Sequence, residues 1–169
     1  MTQLVAPSVE YHASFLAALR EFQAEERDLD LDPDSLAQPD AFAEYVQRLH
    51  DDARADIPPR FAGWVPGTNL WGVAGDEFVG SLQIRHRLTE HLRLVGGHIG
   101  YQVRPSRRGE GHATRMLALS LPIARSLGIE RALVTCDPTN IASQKVIEAN
   151  GGVLDAVTEA KRRYWIATA

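Results

Sequence analysis

The chain has 169 residues, a length that fits one domain with a proper hydrophobic core. Its 44% hydrophobic and 24% charged content is that of an ordinary globular protein, and a net charge of −4 argues against a nucleic-acid binder, whose affinity rests on a basic surface. The lone Cys136 excludes an internal disulfide and any multi-cysteine metal site. No apolar run reaches the roughly 18 residues of a spanning helix, and the N-terminus lacks the basic and apolar regions of a signal peptide. The expectation is therefore a cytoplasmic protein with no membrane or nucleic-acid partner.

In chain order, residues 9–27 place Tyr11, Phe15, Leu19 and Phe22 at helical spacing. The acidic stretch that follows, with Glu25, Glu26, Asp28, Asp30, Asp32 and Asp34, is too rich in Asp and Pro to be regular. A second helix starts near Asp40 and runs through "AFAEYVQRLHDDA". From Trp64 the period changes: two strands, Asn69–Ala74 and Glu77–Arg87, flank a Gly75-Asp76 turn, a strong hairpin signal. "GHIGYQVRP" reads as a strand with Ile99, Tyr101 and Val103 on one face and His98, Gly100 and Gln102 on the other. A helix spans Gly109–Leu127, with Pro122 as a possible kink point and Gly128 at its end. "RALVTCD" is a short buried strand and "PTNIASQKVIEANGG" a helix closed by two glycines. "GVLDAVT" and "RRYWIAT" form a C-terminal hairpin. With no repeat or linker, residues 1–169 read as a single α/β (α+β) domain.

The connection "RPSRRGEGHATR" asks for more than folding. Glycines between a strand and a helix let backbone amides converge on an anion at the positive end of the helix dipole, and Arg107 and Arg108 add charge-assisted donors. The Lys-Ser/Thr ending of a P-loop is missing. The dinucleotide fingerprint also fails, because Thr114 stands at its third glycine position.

Arg108-x-x-Gly111-x-Ala113 resembles the [Q/R]-x-x-G-x-[G/A] signature of the GNAT superfamily of acetyl-CoA-dependent N-acetyltransferases, and Asn140-x-x-Ser143, on a helix ending in glycine, is similar to its second motif. The resemblance implies a central, mostly antiparallel mixed sheet, splayed at the cofactor site and flanked by helices. It implies acetyl-CoA as cofactor, with its pyrophosphate on the amides of Arg108, Gly109, Gly111, His112, Ala113 and Thr114 and with Arg107 in reach. Val103 would pair with the pantetheine arm through its backbone, and Asn140 and Ser143 would contact the cofactor from the next helix.

Direct transfer to a primary amine needs a base, an oxyanion donor and a proton for the thiolate. His98 is the first candidate base, its alternative being a histidine hydrogen-bonded inside the sheet or a strand residue with no catalytic role; Glu90, His91 and His86 follow, and a backbone N–H between Tyr101 and Val103 serves the carbonyl. In the family a Tyr often stands seven residues after the motif asparagine; here that position is Ile147, so the proton donor is open, with Ser143 and Tyr164 as substitutes. Cys136 reads as a buried structural thiol. The acidic segment reads as a solvated surface loop; the resemblance implies the alternative, a carboxylate border of the acceptor pocket suited to a polyamine, an aminoglycoside-like amine or a lysine side chain, and Phe61, Trp64 and Trp71 are either core or cleft residues. The rival reading is a non-catalytic coenzyme A sensor. The acceptor's identity and the choice between monomer and homodimer are not legible.

Overall fold

The computed structural model describes residues 1–169. A first sheet has the order β1 (Thr2–Val5), β2 (Gly67–Ala74), β3 (Glu77–Arg85), β4 (Ile99–Val103), all antiparallel. A second has the order β5 (Arg131–Cys136), β7 (Arg162–Ala167), β6 (Val153–Val157), also antiparallel. The two meet at one end only. The His98 amide donates to the Leu133 carbonyl (2.7 Å), and the Leu133 amide donates to His98 Nδ1 (2.9 Å). Beyond this junction β4 and β5 form no ladder, so the sheet opens as a V.

Helices cover both faces. On one face α1 (His12–Ala24) and α3 (Pro39–Asp51) bury Phe15, Phe22, Phe42 and Tyr45 against Trp71 and Phe78 of β2 and β3. Phe15 stacks on Trp71 at 5.0 Å between ring centroids, a geometry that aromatic quadrupoles favour. On the other face α5 (His112–Ser126) lays Met116, Leu117 and Ala124 against the first sheet. Gly72 and Gly80 face each other across β2 and β3, and the Met116 side chain occupies the space a Cβ at Gly72 would need. That clearance lets the helix approach the sheet closely. α6 (Ile141–Ala149) buries Ile147 completely in the same core. No helix is long and apolar enough to cross a membrane.

Several expectations are corrected in detail. β1 was not anticipated, nor were α2 (Pro33–Leu36) inside the acidic stretch and α4 (Glu90–Leu94) between β3 and β4. α2 forms because Asp32 caps it, its carboxylate accepting from the Asp34 amide, and Pro33 suits the first helical position. α5 starts at His112 rather than Gly109, because Gly109 (φ +78°) and Gly111 (φ +85°) are left-handed and cannot join a right-handed helix. Pro122 does not interrupt α5, which continues to Ser126.

Candidate active site

The open edge of β4 follows from its register. The Arg104 amide donates to the Val79 carbonyl, and Gln102 lies opposite Ser81, so even-numbered residues of β4 bond to β3. Alternation then turns the N–H and C=O groups of Tyr101 and Val103 toward the mouth of the V. Past β4 a one-turn 3-10 helix, Pro105–Arg107, leads into the glycine loop and the N-terminus of α5. The amides of Gly109, Glu110, Gly111, His112, Ala113 and Thr114 find no acceptor in the protein. A Cβ at Gly109 or Gly111 would project into open space.

Two cavities converge on this edge. The first, ≈ 440 Å³, lies between the sheet and α1 and α3; Phe22, Tyr45, Leu49, Trp71 and Phe78 are among its walls, with Asp28, Arg85, Gly100, Tyr101 and Gln102. The second, ≈ 470 Å³, is lined by Val103, Arg107, Arg108, Gly109, Gly111, His112, Ala113 and Thr114 on one side and Asn140, Ala142, Ser143 and Val146 on the other. Arg27, Tyr101 and Gln102 border both. The glycine loop and the Asn-x-x-Ser helix, 26 residues apart between Thr114 and Asn140, are thus brought to opposite walls of one cleft.

Sequence reasoning passed over two residues at the meeting point. The strand pattern gives Tyr101 a face and a backbone N–H but no role for its side chain, yet its hydroxyl is hydrogen-bonded to Ser143 Oγ at 2.7 Å, and burial raises its pKa to about 12. Asp28 is the only carboxylate lining either cavity; its Oδ2 accepts from Gln102 Nε2 at 2.9 Å. Its backbone is left-handed (φ +51°), which Asp tolerates better than most residues, and the turn is held by Gln23 Nε2 and the Leu31 amide on its carbonyl. The acidic stretch signalled it only as one carboxylate of six.

The remaining candidates divide sharply. Asn140 caps α6, accepting from the Ser143 amide at 3.0 Å, and Ser143 holds Tyr101. His98 borders neither cavity. It is 8% exposed, its Nδ1 lone pair is taken by the Leu133 amide, and burial, with help from Arg93 and Arg85, lowers its pKa to about 4. These are properties of a joint between the two sheets, so the expectation of a base at His98 is corrected. Glu90 is exposed in the first turn of α4 and borders neither cavity. His86 is hydrogen-bonded to Thr68, and His91 is exposed outside both cavities. Tyr164 is fully buried between Arg162 and Glu148 and does not reach the cleft. Cys136 is buried, and burial pushes its thiol up. Trp71 is in the core, whereas Phe61 and Trp64 are exposed and pack on one another at 4.5 Å.

The loop arginines are engaged by carboxylates. Arg108 makes a bidentate pair with Glu25 (2.8 and 2.9 Å) and donates from Nε to the Val103 carbonyl; Arg107 reaches Glu77 at 3.0 Å; Arg104 reaches Glu21 at 2.7 Å. His112, expected in the loop, is buried between Thr2 and Glu110, although its residue borders the second cavity.

A splayed sheet with an anion-binding loop at its opening defines a protein that holds a phosphate-bearing ligand along a strand edge. Residues 18–153 match the acetyltransferase (GNAT) domain family. The chain belongs to that family and is an acetyl-CoA-dependent acyltransferase. No curated protein matches it in sequence. In fold it is similar to Mycobacterium smegmatis RimJ in complex with a coenzyme A disulfide (TM-score 0.68, 22% identity, covering 98% of this chain and 81% of that one). It is also similar to the microcin C7 self-immunity acetyltransferase MccE with acetyl-CoA and AMP (TM-score 0.67, 14% identity, 98% and 92%). A ribosomal-protein-S5-alanine acetyltransferase from Vibrio fischeri gives a TM-score of 0.68 at 12% identity, covering 99% and 93%.

Proposed function

We propose that this chain acts as a single domain that transfers the acetyl group of acetyl-CoA directly to a primary amine, with coenzyme A in the second cavity and the amine in the first. The observation that carries this reading is that the two cavities share Tyr101, Gln102 and Arg27, so ligands in each meet at the open edge of β4. The second cavity suits the donor. Six adjacent amides without protein acceptors stand at the positive end of α5, and the glycine loop keeps side chains out of their way. Val103 offers a free edge N–H to an amide-bearing arm, its carbonyl being held by Arg108 Nε, and Asn140 and Ser143 face it from α6.

Bound acetyl-CoA supplies an activated thioester; the chain supplies positioning and proton handling. The edge N–H groups of Tyr101 and Val103 are the donors available to a carbonyl oxygen in the V. Asp28 takes the proton of the incoming ammonium, directly or through water, which frees the nitrogen lone pair. The amine would gain its bond to the acetyl carbon as the thioester C–S bond breaks; the second proton that nitrogen loses would pass through water to the leaving sulfur, and the one held by Asp28 would return to solvent. Tyr101, with its pKa raised to about 12, stays protonated and stabilises the leaving sulfur as a hydrogen-bond donor rather than as a full acid. Ser143 holds that hydroxyl in place.

The test is calorimetry with acetyl-CoA followed by thiol release against primary amines. Binding with amine-dependent thiol release is expected. Tight binding without turnover on any amine would favour the sensor, and absence of binding would refute the donor site.

A further inference from the structure

The first cavity contains a group that acetyl transfer to a simple amine does not require. Arg85, on β3, lines it with no carboxylate partner. One terminal nitrogen, Nη1, donates to the carbonyls of Gly96 (2.9 Å) and Gly97 (3.2 Å). The other, Nη2, lies 3.5 Å from where a Cβ on Gly100 would stand, so the guanidinium rests on the bare backbone of β4. Burial alone lowers its pKa, with no anion to offset the cost. A desolvated cation without a counter-charge is unfavourable in the free protein and is relieved by an anionic ligand. The arginines of the glycine loop already have protein carboxylates; Arg85 does not.

The cavity's one carboxylate is placed to make a pair of opposite charges. Asp28 is bound to Gln102, and Arg85 lies over Gly100. Gly100 and Gln102 are alternate residues of β4 and share a face, so the strand positions beneath the two charges are about 7 Å apart. Asp28 stands toward the end of the cavity shared with the donor cleft, next to the solvent-exposed Arg27, and the more buried Arg85 lies further in. Resting on the reading of this cavity as the acceptor site, we propose that the acceptor is an amino carboxylate whose amine faces Asp28 and Tyr101 and whose carboxylate is bound by Arg85. Such a ligand comes either as a free amino acid or as a peptide with an acidic residue next to its N-terminus. Arg85 also borders a further groove of ≈ 280 Å³ with Trp64 and Leu92, which gives a longer chain somewhere to continue.

The experiment compares kcat/KM by thiol release for matched pairs. One arm uses glycine, β-alanine, γ-aminobutyrate and glutamate against their carboxamides. The other uses short peptides beginning Ala-Asp or Ala-Glu against Ala-Asn or Ala-Gln. At least one carboxylate member is expected to exceed its amide by about 10- to 100-fold, the worth of a charge-assisted hydrogen bond, and the arm in which this occurs names the source. Arg85→Gln brings that ratio close to one, whereas Arg85→Lys retains most of it. A wild-type ratio near one, a ratio that survives in folded Arg85→Gln, or no turnover of any amino carboxylate overturns the inference. The wild-type ratio decides even if Arg85→Gln fails to fold. Turnover only of amines that carry no carboxylate, such as spermidine, sinks this inference and leaves the acetyltransferase reading standing; failure to bind acetyl-CoA sinks both.

Discussion

Replacing Tyr101 by Phe removes one oxygen from the point where the two cavities meet and leaves the ring in place. In the free protein that oxygen makes one identified hydrogen bond, 2.7 Å to Ser143 Oγ. Its loss costs about 1 kcal/mol of stability, a fall in Tm of about 2–4 °C for a chain of this size. During turnover the same oxygen donates to developing negative charge on sulfur, where a hydrogen bond is worth about 1.5–3 kcal/mol, so kcat falls about 10- to 100-fold. Acetyl-CoA affinity changes little, because the phosphate contacts lie elsewhere. Linkage adds a signature. Burial raises the Tyr101 pKa from 10 to about 12, so between those values the folded protein holds a proton that the unfolded chain has released. The wild type therefore loses stability as pH rises from 10 to about 12, and Tyr101→Phe lacks that component. The assay is thiol release with the best amine, alongside thermal denaturation across the alkaline range. If kcat is unchanged while Tm falls as stated, Tyr101 merely braces α6 against β4 and its role in transfer is wrong.

Gly111→Ala leaves the protein folded, since nothing in the protein lies within 4 Å of the added carbon, but it forces Ala into a left-handed conformation. A stability loss of about 1–2 kcal/mol is expected, together with weaker acetyl-CoA binding by calorimetry; undiminished affinity would show that the amides do not seat the pyrophosphate. Glu25→Gln releases Arg108 from its bidentate pair, so acetyl-CoA should bind a few-fold more tightly and with steeper salt dependence, at little cost in stability because the pair is solvent-exposed. A loss of affinity would instead mean that Glu25 holds Arg108 in its binding position. The His98 pKa is lowered to about 4, so wild-type stability is full above the unfolded value of about 6.5 and is lost as pH falls toward 4. His98→Ala should be less stable at pH 7, with a flatter melting-temperature profile over that range. Its pH–rate profile, once corrected for the folded fraction, should match the wild type; a displaced profile would restore His98 as a base.

The loop and its helix were legible because their signals are local. Gly109 and Gly111 mark left-handed backbone, the apolar period of α5 begins just after them, and Asn140 is a cap three residues before the serine amide it accepts from. The hairpin of β2 and β3 was equally plain from Gly75-Asp76 between two apolar runs. β1 was missed because four residues carry almost no period, and it becomes a strand only by pairing with β2, some 70 residues away. His98 shows the opposite failure. Its place on the strand before the loop suggested chemistry, but the strand's partner at that point is Leu133, 35 residues on, and that pairing consumes the imidazole lone pair.

What the sequence by itself determined is the part of this protein that depends on neighbouring residues: the order of most elements, the anion-binding loop, the cap of α6 and the family they identify. Tertiary structure alone decided which side chains confront the ligands. Tyr101 meets Ser143 across 42 residues, Gln102 orients Asp28 across 74, and Arg108 reaches Glu25 across 83. None of these pairs has a periodic signature, because each arises where one element happens to pack against another. Local backbone preference writes itself into adjacent residues, whereas charge pairing and desolvation depend on the whole chain being folded.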